Sequence, residues 1–192
     1  MLILSRRGCD ALLSMRSIPS QFRAMSASKR MPTEPSYFVS LIFKHTKAFF
    51  AIQAADGPGA ALKAELLRPI AEDVFELVTQ RYIFFLAAMK KTEESLRKLK
   101  KGKRTAYSLF GAAAGGREDD GRGDEEKIRT QMILDVDAFG REAESLGVAV
   151  NENAAYRSLV EMARSGLTDG GDRKSTRLNS SHSGESRMPS SA

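Results

Sequence analysis

Very few residues in this chain have the types and spacing that chemistry needs. Cys9 is the sole cysteine, and His45 is the sole histidine apart from His182 near the C-terminus. That excludes an internal disulfide, a cysteine-rich metal site and His/Cys zinc chemistry. His45 has no partner histidine or cysteine near it in sequence, so it reads as a packed or solvent-facing side chain rather than a ligand or base. Glu93 and Glu94 are adjacent; on a helix they diverge by about 100° and cannot flank one substrate atom. Ser95 has no neighbouring base to activate it. The GAAAGG stretch from Gly111 lacks the Gly-Lys-Ser/Thr of a phosphate loop and has no strand before it. Asp119, Asp120, Asp124, Glu125 and Glu126 miss the alternate-residue spacing of an EF-hand calcium loop, and read as loop solvation merging into the acids of a helix start. These residues predict a non-enzymatic chain with no cofactor, no metal and no small-molecule substrate.

One dense charge cluster remains, in EESLRKLKKGKR: Arg97, Lys98, Lys100, Lys101, Lys103 and Arg104. The plain reading is a solvated helix end, where cations interact favourably with the helix dipole. The functional alternative is a patch for anionic lipid, to which each basic residue contributes about 1 kcal/mol. No aromatic residues interleave the run, so it does not read as a nucleic-acid surface.

The helix that carries this run follows the DGPG turn at Asp56 and extends from Ala60 to about Arg104, with a kink expected at Pro69. Within it Phe75, Val78, Tyr82, Phe85, Met89, Thr92, Leu96 and Leu99 fall at alternating steps of three and four, the seam of a heptad repeat. Phe75, Val78, Tyr82, Phe85, Met89, Leu96 and Leu99 are therefore predicted to be a packing face for partner helices. Ile83, Phe84 and Leu86 widen that seam beyond what one helix covers, which implies a bundle.

The remaining segments follow from punctuation. Pro19, Pro32 and Pro35 argue against a long helix, so 1–34 is expected to be irregular or disordered. The first 30 residues, with six Lys/Arg against the single acid Asp10, also match a mitochondrial presequence, to be weighed against Met1 being an internal methionine. Ser36 is the expected N-cap of a helix with Phe38, Ile42, Phe49 and Ile52 along one side, making 35–107 a helical hairpin. Residues 108–123 read as a flexible Gly/acid loop and 124–166 as two helices. The first carries Ile128, Met132, Val136, Phe139, Ala143 and Leu146 and stops at Gly147. The second is capped by Asn151 or Asn153 and turns Tyr156, Leu159, Val160 and Ala163 inward. The fold class is all-α: a helical bundle or rod segment with a long mobile loop and disordered termini, 167–192 among them. No apolar run approaches the roughly 20 residues that cross a bilayer.

The tail from Asp172 to Ala192 reads differently. Turned back into codons, Asp172 to His182 and Ser186 to Ala192 fit the two constant arms of a sequencing-library adapter, with room for a short index between them. The tail is therefore set aside from fold reasoning. It carries two net positive charges of the formal +6, so the body holds a mild +4.

Three pieces of the chain, MPTEPSYFVSLIF, MKKTEESLRKLKKGKR and DEEKIRTQMILDVDAFGREAESLGV, in that order, resemble the C-terminal region of subunit 2 of the conserved oligomeric Golgi complex. The family pattern there is a Pro-Thr-x-Pro-Ser opening, a helix ending Glu-Glu-Ser-Leu with a basic run, and an acidic helix start with Lys-Ile-Arg and Leu-Asp-Val. The resemblance covers roughly Ile18 to Ala163. It implies a peripheral, helical-rod tether on the cytoplasmic face of Golgi membranes, active in retrograde traffic and Golgi organisation. Its partners would be the other subunits of that complex, with contact to anionic membrane and none to nucleic acid. A basic amphipathic membrane-binding module and a mitochondrial helical protein are the competing readings.

Overall fold

The spacing of apolar residues between Ala71 and Met89 sets the centre of the structure. In the computed structural model, which describes residues 2–24, 30–51, 58–108 and 119–166, that stretch lies within one continuous helix, α5 (Pro58–Ser108). At 100–108 and 119–122 the backbone alone is described. Ala71, Val74, Phe75, Val78, Tyr82, Phe85, Leu86 and Met89 are all buried, at the steps that keep side chains on one helical face. Pro69 sits exposed inside α5 without ending it.

The other helices pack around that face: α1 (Leu2–Ala11), a 3₁₀ segment (Leu12–Ser17), α2 (Ile18–Ala24), α3 (Tyr37–Ile42), α4 (Lys44–Ala51), α6 (Asp119–Glu144), a 3₁₀ turn (Val150–Glu152) and α7 (Ala154–Ser165). α1 and α7 lie along α5, and α7 also lies along α6. No strand occurs among the described residues, and the architecture is an all-α helical bundle. Residues 109–118 and the whole tail, including the adapter-like stretch, fall outside the described residues.

The leading segment departs from expectation. Instead of an irregular 1–34, the chain is helical from Leu2 to Ala24, and Leu12, Met15 and Ile18 enter the core. Pro19 permits this because it is the second residue of α2, in the first turn, where a missing N–H forfeits no intrahelical bond. The segment runs parallel to α5. Gly8 lies against Val78, whose Cγ2 would be 2.9 Å from a Cβ at that position; the Arg16 guanidinium covers Phe85 at 4.9 Å; and Arg23 pairs with Glu93. A segment that supplies core residues along such a length belongs to the fold.

The expected helix after Ser36 is divided. Phe43, with φ −97° and ψ 2°, separates α3 from α4, so the buried set moves from Phe38, Val39 and Ile42 to Phe43, Thr46 and Phe50. Phe49, expected on the inner face, is exposed, and so is His45; Ile52 falls outside the described residues. Further on, α6 starts at Asp119, five residues before the expected 124.

α6 ends as its glycine dictates. Gly147 takes φ +86°, while Val148 N–H donates to Ala143 O and Gly147 N–H to Glu144 O, the paired bonds of a Schellman cap. Of the two candidate caps for α7 it is Asn153 that serves, its side-chain oxygen accepting from Tyr156 N–H at 2.8 Å. The core closes on Phe139, which is fully buried among the rings of Phe43, Phe75, Tyr82 and Tyr156, with centroids 5.0 to 6.3 Å away.

Candidate interaction sites

The predicted packing face divides at Met89. Phe75, Val78, Tyr82, Phe85 and Met89 are buried by helices of this same chain, so they form its own core rather than a surface offered to a partner. Rings of α6 and α7 cover Phe75, which stacks on Phe139 at 5.0 Å and tilts against Tyr156 at 5.4 Å, while the leading segment lies over Val78 and Phe85. Leu96 and Leu99 remain exposed, at 38% and 65% of their full surface. The reason is geometric, because α7 and α2 end there. Lys90 Nζ bonds Ser165 Oγ at the last residue of α7, and Glu93 pairs with Arg23 next to the last residue of α2. Of the residues expected to widen the seam, Leu86 is buried, Ile83 is half-buried, and Phe84 is 59% exposed beneath the Arg81 guanidinium.

The basic run begins on this projecting stretch. Arg97 and Lys98 are exposed, and Lys98 pairs with Glu94 one turn back at 2.7 Å, an interaction that holds the Glu94 carboxyl below the usual carboxylate range. Lys100, Lys101, Lys103 and Arg104 lie on helical backbone, their side chains outside the described residues.

A polar clasp that the sequence did not announce joins the first helix pair to α6. Asp135 is fully buried, and Ser36 donates to both of its oxygens: the backbone N–H to Oδ1 at 2.6 Å and the hydroxyl to Oδ2 at 2.8 Å. Gln131 donates its amide to Asp135 Oδ1 at 2.8 Å and to the Glu34 carbonyl at 3.0 Å. Ser36 thus stands at the N-cap position of α3, but its hydroxyl is committed to α6 rather than to its own helix. Burial pushes the Asp135 carboxyl above the usual range, and the bonds from Ser36 and Gln131, which favour the charged form, oppose that rise. A sequence signal did exist: an acid flanked by Met132, Val136 and Phe139 on the apolar face of a helix.

Among the described residues no group of three or more His, Cys, Asp and Glu is placed to hold a metal ion, and no helix is long and apolar enough to cross a membrane. The class is a helical packing module. Residues 1–136 match the family described as COG complex component, COG2, C-terminal, and the chain belongs to that family.

Among its relatives, the conserved oligomeric Golgi complex subunit 2 of Homo sapiens is 28% identical over 155 residues, covering 79% of this chain and 19% of that protein. The subunit of the same name from Arabidopsis thaliana is 24% identical over 158 residues, covering 82% of this chain and 20% of its own length. The chain spans about a fifth of the length of these relatives. No solved structure matches it significantly. The clasp ties together two of the resembling pieces, Ser36 of PTEPS and Asp135 of LDV. The family match ends one residue past Asp135, inside α6, whereas the bundle continues through Phe139 and Tyr156.

Proposed function

We propose that the chain is a non-enzymatic portion of a multisubunit Golgi vesicle-tethering complex, peripheral on the cytoplasmic face of the membrane and acting in intra-Golgi retrograde transport. Family membership carries this reading. In it the partners are the other subunits of that complex, and neither nucleic acid nor a small molecule takes part. The geometry supports a division of labour. The inner face of α5 holds the bundle, and the projecting stretch with Leu96 and Leu99 is left for neighbouring subunits.

The test is co-purification of complex subunits with the full-length protein, alongside sedimentation with anionic vesicles. Leu96→Asp with Leu99→Asp leaves the fold intact and releases subunits. Replacing Lys98, Lys100, Lys101 and Lys103 by glutamine changes subunit binding little. A membrane module predicts the reverse: the lysine variant leaves anionic vesicles, with loss of a strong salt dependence, and the leucine variant keeps its subunits. The mitochondrial reading has its own test in a fluorescent reporter fused to Met1–Arg30. Import followed by cleavage supports it, and a cytosolic reporter rejects it.

A further inference from the structure

The leading segment and α5 together present a second surface, on the outer side of the bundle. Arg6, Cys9, Leu13 and Arg16 follow one another at steps of three and four, as do Leu77, Arg81, Phe84 and Ala88. The two stripes meet at Phe85, over which Arg16 and Arg81 both lie, at 4.9 and 4.8 Å from the ring centroid. On either side of this junction stand apolar side chains in solvent: Leu13 at 48%, Leu77 at 44% and Phe84 at 59% exposure. Arg81 also lies over Phe84, at 5.3 Å. Arg6, Arg16 and Arg81 have no ion-pair partner among the described residues.

We propose that this face docks an amphipathic helix of a partner protein, one with apolar anchors flanked by Asp and Glu. Three features select that occupant. Two guanidinium groups lie over a single ring, which concentrates positive charge beside exposed apolar side chains and favours an anionic partner. Both side chains are exposed and without an ion-pair partner among the described residues, which leaves their N–H groups available for the two-point recognition of a carboxylate. Leu77 and Phe84 stand two helical turns apart, about 10 Å along α5, matching the i and i+7 anchors of a docked helix. The inference does not depend on the Golgi reading.

Fluorescence anisotropy of labelled designed helices against the full chain tests it. One peptide carries leucines at a and d positions with glutamates on both flanks. A second has lysines for the glutamates, and a third has serines for the leucines. The acidic amphipathic peptide binds; the other two bind at least about tenfold more weakly. Phe84→Ala and Arg81→Gln each weaken the acidic peptide by about tenfold or more while the thermal midpoint stays fixed, and added salt weakens it further. The proposal is overturned if no peptide binds, if the lysine peptide binds equally well, or if both variants bind the acidic peptide like the parent. It is also overturned if phosphatidylserine vesicles, and not the peptide, are what the two variants lose.

Discussion

The two halves of α5 carry one apolar repeat and meet two fates. From Ala71 to Met89 every inward position is covered by helices of the same chain, whereas Leu96 and Leu99, in step with the same repeat, stand in solvent. Both halves are helical, so propensity is not what separates them. The difference is the length of two neighbours, α7 and α2, which end level with Lys90 and Glu93. A heptad-like pattern therefore reports a capacity for burial, and tertiary structure decides which part of it is filled. Helical stability without such cover is marginal, because packing rather than propensity supplies most of it.

The comparison breaks first at its buried half. Val78→Asp places an unpaired charge at a fully buried position against Gly8 and costs several kcal/mol, enough to abolish the cooperative thermal transition. Phe139→Ala removes the ring at the centre of the aromatic cluster and lowers stability by about 3–5 kcal/mol in chemical denaturation. Leu99→Asp, in the projecting half, stays within about 0.5 kcal/mol of the parent.

Gly140→Ala comes next, at about 1–3 kcal/mol, because the Tyr156 hydroxyl lies 2.1 Å from where the new Cβ would stand. That hydroxyl also donates to Val136 O at 3.1 Å, so Tyr156 has little freedom to move aside.

Asp135→Asn costs about 1–3 kcal/mol, since two bonds to a carboxylate are replaced by weaker neutral ones, the amide oxygen accepting from the Ser36 N–H and the amide NH2 donating to the Ser36 hydroxyl. It also removes a pH dependence of defined sign. The folded carboxyl is raised above the ordinary 3.8, so between that value and the raised one the folded chain binds a proton that the unfolded chain has released. The contribution of Asp135 is thus fully present below the ordinary value and is lost as pH rises through the folded one. The stability difference between parent and Asp135→Asn, measured by denaturation across that window, falls with rising pH. The smallest effect is truncation after Gly171, which leaves the thermal midpoint unchanged.

What could be read from the sequence was what is local. The inner face of α5, the stop at Gly147 and an asparagine cap at 151 or 153 each follow from residues within a turn or two of one another. What could not be read depends on contacts between distant residues. The break at Phe43 serves a ring that stacks on Phe139 at 5.8 Å, and the helices before Ala24 persist because Leu12, Met15 and Ile18 are buried by α5 and its neighbours. The Ser36–Asp135 clasp spans 99 residues, and no spacing rule reaches so far. The same holds for the interaction sites. The apolar face was legible as a face, but its assignment to partner helices was not, because Phe139 and Tyr156 occupy the place a partner was expected to fill.

Native-state hydrogen exchange along α5, resolved residue by residue in the isolated chain, tests the central claim most directly. The account predicts that amides from Val74 to Met89 exchange only through global unfolding, and that protection falls steeply from Thr92 through Leu99. Protection that continues undiminished through Leu99 would show the projecting half to be covered as well. Weak protection from Val74 to Met89 would show that the chain does not bury its own seam, and either result contradicts the account.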